Sequence, residues 1–273
     1  MEKSKLFIVS TPIGNLEDLS PRAIRILNEV GLIAAEDTRV TGKLLSRFSI
    51  STSQISFNTY NALTRIPFLI EELKTKSVAL TTDAGAPGVS DPGSGLIKAA
   101  DEVGIEVIAI PGPSSLTAIM SLSPFESHRT YFYGFAPRSK TELVTIMKDC
   151  DSLKSNCVFY ESPNRLEKLL SNLNSISQTR EVVIGRELTK LHEERFVGTV
   201  KDALDYFVEP KGEFTLLLKP IEISDIRFSS EDYETLVKKL TEEGLGVKAI
   251  AKEISAISGK TNSQAYRLVL DHI

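Results

Sequence analysis

Short, continuous apolar runs recur through the first 110 residues. They are Leu6-Phe7-Ile8-Val9, Leu32 to Ala35, Ser77 to Thr81 and Val107 to Ile110. A strand with one wet face alternates apolar and polar residues. An unbroken apolar run needs cover on both faces. Helical patterns supply that cover between the runs. Ser20-Pro21 is a helix start, with Ile24, Leu27 and Val30 on one face. Further helical patterns run from Ile66 to Leu73 and from Leu96 to Val103. Strand and helix in alternation give an α/β fold with a parallel sheet. In such sheets, ligands sit just outside the carboxyl ends of the strands, so the turns after these runs are where function is sought.

A polar stretch with Pro124, Ser121 to Thr130, interrupts the pattern. It places a domain boundary near residue 120. The style then repeats: Tyr131 to Phe135, Cys157 to Tyr160, a helix from about Asn164, Glu181 to Gly185, and Phe214 to Leu218. His192 to Val200 reads as an antiparallel strand, so a mixed sheet is expected here. From residue 226 the chain changes again, to three short helices at about Glu231 to Leu240, Val247 to Ser255 and Asn262 to Leu270. The expected domains are therefore 1–120, 121–225 and a helical tail, 226–273. The tail spacing resembles a helix-turn-helix unit. Its seven Lys and Arg are matched by seven Asp and Glu, which fits a packing or RNA-docking segment better than a DNA reader.

The formal charge of −4 over 273 residues argues against coating nucleic acid by charge alone, though it allows a local basic face. The two cysteines, Cys150 and Cys157, complete no zinc set and read as buried thiols in a reducing compartment. No signal peptide and no membrane span is read from the sequence, so a cytoplasmic protein without membrane contact is expected.

The most informative turn is TTDAGAPGVSDPGSG, residues 81–95, between a strand and a helix. Neither the Walker A string nor the dinucleotide fingerprint occurs in the chain. The loop has no Lys, Arg or His, but it has Asp83 and Asp91. At roughly 4 Å and an effective dielectric near 20, each carboxylate would repel a unit negative charge by about 4 kcal/mol. Phosphate is therefore a poor ligand, and a cationic or neutral polar one is better. S-adenosylmethionine, with a sulfonium, an ammonium and no phosphate, qualifies. A tight turn with aspartate caps is the structural alternative. A second loop, IPGPSSLTAI (110–119), also follows a strand and opens a helix, with Ser114 and Ser115 in its first turn. Two such loops at one sheet edge make a crevice.

Seven strings, in this order and spacing, carry a resemblance: TPIGNLED (11–18), AEDTR (35–39), DAGAPGVSDPG (83–93), PGPSS (111–115), GFAPRS (134–139), FYESPNR (159–165) and RELTKLHEE (186–194). Together they resemble the ribosomal RNA small subunit methyltransferase I family, among the tetrapyrrole-methylase-like, class III S-adenosylmethionine enzymes. The resemblance runs from about Leu6 to Lys219. It implies two α/β domains with a cleft between them, S-adenosylmethionine as methyl donor with no metal, and a homodimer. It also implies 2′-O-methylation of a cytidine ribose in the decoding region of small-subunit (16S) rRNA. By position, it implies that Pro12, Asp83, Ala84, Gly85, Ala86, Ser114 and Ser115 line the donor site, closed by Tyr160, Glu161 and the strand near Phe214. Three departures stand out: FNTYNA (57–62) where relatives carry a His-rich segment, Ala86 where they carry Thr, and Asn164 where they carry His.

Methyl transfer from a sulfonium mainly needs orientation and desolvation. The ribose hydroxyl benefits from a base or a nearby cation. The candidates are Glu36, Asp37, Glu187 and Lys190. The base is assigned to Glu36 or Asp37, with Lys190 as a further catalytic candidate. Arg39, Arg165, Arg186, Glu187 and Lys190 are the expected substrate contacts, and Lys190 and Arg39 would meet phosphate or ribose. For Glu36-Asp37-Thr38-Arg39, the structural alternative is an Asp/Arg pair capping the next helix. For Arg186 to Lys190, read as an extended segment with charges on one face, it is a solvated strand edge. The rim Arg39, Lys43, Arg47, Arg138, Lys140, Arg165, Arg186 and Lys190 would place the RNA backbone. Two other functions compete: a class III methyltransferase acting on a tetrapyrrole or other small molecule, and a non-catalytic RNA- or ribosome-binding relative.

Overall fold

The computed structural model describes residues 3–126, 129–221, 233–234, 237–238, 240–241, 245–258 and 261–272. The chain forms two compact units. The first comprises Met1–Phe125, Phe132–Arg138 and Val158–Leu218, and the second Glu126–Tyr131, Ser139–Cys157 and Lys219–Ile273.

The expected parallel sheet is present in the first unit. Its strands are β1 (Lys5–Val9), β2 (Leu32–Ala35), β3 (Gln54–Ser56), β4 (Val78–Thr81) and β5 (Glu106–Ile110), in spatial order β3-β2-β4-β1-β5. The pairs β1–β4, β1–β5, β2–β3 and β2–β4 are all parallel. The unbroken apolar runs have the predicted cause. Ile33 and Ala35 face one core, with Ala23, Ile26 and Leu27 of α1 (Pro21–Glu29) and Leu44 and Leu45 of α2 (Thr38–Arg47). Leu32 and Ala34 face the opposite core, with Leu69 of α3 (Ala62–Glu72) and Leu96 and Ala100 of α4 (Ser94–Glu102). The chain runs from β1 outward to β2 and β3, returns to β4, then crosses to β5 on the far side of β1. The order therefore reverses beside β1, where α/β sheets open a crevice.

The second sheet contains β6 (Thr130–Phe135), β7 (Asn156–Glu161), β8 (Glu181–Arg186), β9 (Glu194–Thr199) and β10 (Phe214–Leu218), in order β6-β7-β10-β8-β9. The strand expected within His192 to Val200 is β9, and it pairs antiparallel with β8. β8 also pairs antiparallel with β10. Within the first unit, the short helix α5 (Ser115–Ser121) buries Ile119 with Val158, Val183 and Leu217 of this sheet. The remaining helices of the body are α6 (Lys140–Ser152), α7 (Pro163–Ile176) and α8 (Val200–Tyr206).

In the tail, α9 (Val247–Ser258) and α10 (Asn262–Asp271) occupy the expected places. Ile250, Ala251 and Ile254 pack with Ala265 and Val269, and with Tyr233 and Val237. Much of the helix expected at about Glu231 to Leu240 lies outside the described residues. Cys150 and Cys157 are both buried. Among the described residues, no helix is long and apolar enough to cross a membrane.

Candidate active site

The carboxyl ends of β1, β2, β4 and β5 build the floor of the site. Thr11, after β1, exchanges two backbone hydrogen bonds with Gly85. Thr11 N donates to Gly85 O at 2.9 Å, and Gly85 N to Thr11 O at 3.1 Å. Gly85 has a φ of +84°, a conformation other residues rarely adopt, so glycine lets the loop turn back onto β1. The Thr11 hydroxyl donates to Thr82 O at 3.0 Å, and Ser10 N to Ile110 O at 3.1 Å.

Carboxylates gather on this floor. Glu36 Oε2 accepts from the Thr82 hydroxyl and, at 3.2 Å, from Asp83 N. Asp91 Oδ2 lies 2.8 Å from the same hydroxyl. Asp83 Oδ1 accepts from Asp37 N at 3.1 Å. A hydroxyl has one proton and can satisfy only one of two carboxylates, so the Glu36–Thr82–Asp91 arrangement has room for one more proton. The charge balance points the same way. Partial burial, then the neighbouring Glu36, pushes the Asp83 carboxyl above the usual range. Burial raises Asp91 as well, against the Thr82 hydrogen bond, with Glu36 adding to the rise.

Above the floor lies a cavity of about 410 Å³, wholly within the first unit. The parallel sheet contributes Ile13, Glu36, the 82–86 and 89–91 stretches, Ser114 and Ser115. The second sheet contributes Phe135, the 160–163 stretch, Leu188 and the 213–215 stretch. Tyr160 stands edge-on to Phe132 and Phe135, with ring centroids 5.0 and 5.9 Å away. Glu161 is buried, which raises its carboxyl against hydrogen bonds from Ser162 and the charge of Arg165. Its Oε1 accepts from Ser162 N at 2.8 Å. Its Oε2 lies 3.1 Å from Arg165 Nη2 without an aligned hydrogen bond.

The cavity brings together most of the residues expected at the donor site: Asp83, Ala84, Gly85, Ala86, Ser114, Ser115, Tyr160, Glu161 and Phe214, together with Glu36. Pro12 is not in the wall, and its neighbour Ile13 is. Asp37, Arg39, Arg165, Arg186, Glu187 and Lys190 also lie outside the lining. Asp37 caps α2 through Arg39 N and pairs with the Arg39 side chain, the capping alternative for that string. Hydrogen bonds from Arg39 hold the Asp37 carboxyl at about 2. Arg165 Nη2 donates to Ala136 O at 2.6 Å. Arg186 binds Lys211 O and Glu194 at 2.6 and 2.9 Å.

One expectation is corrected. Arg186 to Lys190 is not extended. Only Arg186 belongs to β8, and Glu187 and Thr189 have φ of +50° and +67°, so the segment turns tightly. Glu187 Oε1 accepts from Glu213 N at 2.8 Å and from Lys190 Nζ at 2.9 Å. Thr189 N donates to Glu193 Oε2 at 2.6 Å. These bonds favour the turn over the extended form and send Leu188 inward to the cavity.

Thr82, Asp91, Phe135, Leu188, Glu213 and Thr215 also line the cavity, beyond the residues that the sequence singles out for it. Thr82 and Asp91 fall inside the Gly-rich loop, and Glu213 and Thr215 flank Phe214. Their position beside motif residues is the signal that could have found them. Asn58, in the FNTYNA string, is occupied locally. Its Oδ1 accepts from Tyr60 N at 3.1 Å and Asn61 N at 3.2 Å, shaping the turn before α3.

The tetrapyrrole (corrin/porphyrin) methylase family model matches residues 5–204. A Synechocystis sp. protein named ribosomal RNA small subunit methyltransferase I is 38% identical over 271 residues, 97% of each chain. The chain belongs to the ribosomal RNA small subunit methyltransferase I family. Another member, from Thermotoga maritima, is 45% identical over 217 residues, which are 97% of that protein and 78% of this chain. Solved structures show the same fold at low identity. A diphthine synthase matches with a TM-score of 0.65 at 17% identity, over 80% of this chain and 90% of its own. A cobalt precorrin-4 methyltransferase matches with a TM-score of 0.60 at 16% identity, over 78% of this chain and 94% of its own. The family places a methyltransferase active site on this fold, and the cavity has a suitable size for a small organic ligand.

Proposed function

We propose that the cavity binds S-adenosylmethionine and that the protein methylates the 2′-oxygen of a cytidine ribose in the decoding region of small-subunit (16S) rRNA. The observation that carries the donor assignment is the charge of the wall. Among the described residues it includes Glu36, Asp83, Asp91, Glu161 and Glu213, and no Lys, Arg or His. Such a wall repels phosphate and favours a ligand that brings its own positive charge. Asp83 and the backbone of Ala84 to Ala86 would hold the donor with Ser114, Ser115, Tyr160, Glu161 and Phe214. When bound, S-adenosylmethionine supplies an activated methyl group. The names of the relatives support the rRNA substrate.

The protein's own residues then orient the acceptor and manage its proton. Asp37 is a weak base, because Arg39 hydrogen bonds favour its ionised form. Glu36 lies in the wall and is the better candidate of the two. Burial works against the charge on Lys190, but hydrogen bonds to Glu213 and Glu187 prevail and raise its pKa. Lys190 therefore acts as a cation toward phosphate or ribose, and not as a base. Arg39, Arg165 and Arg186 belong to the same proposal as backbone-positioning groups, and Glu187 as a substrate-site residue that holds the Lys190 ammonium. So do the division at residue 120, the tail from 226, a homodimer and a cytoplasmic location.

The test uses labelled S-adenosylmethionine with purified small subunits, naked rRNA and a precorrin-type tetrapyrrole. Label on a ribose 2′-oxygen is the expected result. Label on tetrapyrrole carbon would sink the rRNA reading. Tight donor binding without transfer to any of the three would favour a non-catalytic RNA-binding relative.

A further inference from the structure

We propose that Glu213 is a placeholder on Lys190: its carboxylate occupies the position on the ammonium that an RNA phosphate oxygen takes when the acceptor strand binds. The proposal rests on the rRNA reading above.

Lys190 Nζ donates to Glu187 Oε1 and to Glu213 Oε2, each at 2.9 Å. The two partners are not equivalent. The Glu187 side chain is 19% exposed and that of Glu213 is 76% exposed. Glu187 also accepts from Glu213 N at 2.8 Å. The turn before β10 wraps closely around it: Gly212 has φ of +92°, and a Cβ there would lie 2.5 Å from Glu187 Cγ. Glu187 is thus fixed in place. Among the described residues, the Glu213 carboxylate has only Lys190 as a partner. An exposed ion pair of this kind contributes little to stability, so an incoming anion can replace it at small cost. A phosphate oxygen accepts from an ammonium just as a carboxylate oxygen does.

The location fits the exchange. Glu213 lines the 410 Å³ cavity, whereas Thr189, next to Lys190, lines a neighbouring groove of about 520 Å³. Ile13 and Ser114 belong to both walls. Asn15 N donates to the Thr189 hydroxyl at 3.0 Å, tying the turn to the loop after β1. Lys190 therefore stands at the border between the proposed donor cavity and an open groove. Two carboxylates on one ammonium leave this border net negative, which opposes RNA until Glu213 swings into solvent.

The test compares wild type, Glu213→Gln, Glu213→Ala, Lys190→Ala and the Lys190→Ala/Glu213→Gln pair. RNA association is measured by anisotropy at two salt concentrations, with kcat and KM for small subunits. Both Glu213 variants should tighten RNA association severalfold and lower KM. Lys190→Ala should weaken association and reduce the salt slope by about one. The gain from Glu213→Gln should vanish when Lys190 is absent, a dependence that a general charge effect does not produce. Weaker or unchanged RNA association in both Glu213 variants overturns the placeholder, as does a gain that survives in the double variant. If wild type neither binds nor methylates small-subunit RNA, the rRNA reading fails and the placeholder fails with it.

Discussion

Asp83 and Asp91 keep their protons to higher pH than a free aspartate, because partial burial and Glu36 both disfavour a further negative charge. A folded-state pKa raised above the unfolded value costs stability once the group ionises. Stability therefore falls as pH rises from the ordinary aspartate range through the raised value. Asp83→Asn keeps an acceptor for Asp37 N and removes the charge. It should raise Tm at neutral pH, with the gain shrinking toward low pH, and should weaken S-adenosylmethionine binding. Thermal melts across pH and titration calorimetry check the two halves, and a lower Tm at neutral pH would contradict the charge argument. At this scale, much of the site was legible because Asp83, Gly85 and Ser114 sit in turns with recognisable chemistry. Lys190 was legible as a cation, but its partner Glu213 was not, since their contact spans 23 positions of chain. The turn at Glu187 and Thr189 was hidden for a different reason. Neither residue is Gly or Asn, so nothing local announces a positive φ.

Elements were most legible where burial is complete. β2 and β4 are buried at every position, and both were read from unbroken apolar runs. β3 was missed: it is three residues long, only half-buried, and at the sheet's edge. α3 begins at Ala62, four residues before the helix read from the sequence, and carries Pro67 inside it. Proline normally marks a helix start or stop, which shifts a boundary read from residues alone. Two substitutions probe these elements. Leu80→Ala, on a fully buried strand between α3 and α4, should cost about 2–5 kcal/mol in chemical denaturation. Ser20→Ala removes the side-chain acceptor for Ala23 N at the start of α1 and should cost about 1 kcal/mol. Equal losses for the two would mean that packing is not the main support of the parallel sheet.

Over the whole molecule, the family model ends at residue 204, and the helical tail lies beyond it. The tail has its own small core, in which Val269 is fully buried. Val269→Asp places a charge there and should loosen the second unit while leaving donor affinity intact, because every residue of the cavity wall belongs to the first. Limited proteolysis and calorimetry on the same preparation check this. A lost donor affinity would tie the two units together energetically. The alternation of strands and helices made the α/β architecture readable, but not the composition of the compact units, which depends on contacts remote in sequence.

The second unit draws on three separate stretches of chain, 126–131, 139–157 and 219–273. Ile221 N, for example, donates to Asp151 Oδ1 across 70 positions. During synthesis the earlier stretches leave the ribosome well before their last partner exists. Asp151, at the end of α6, can meet Ile221 only once the last stretch has emerged. Long-range closure of this kind is slow and leaves apolar surface open meanwhile. Completion of this unit is therefore a late event in the protein's biogenesis, set by the rate at which the ribosome delivers the last of the three stretches, 219–273.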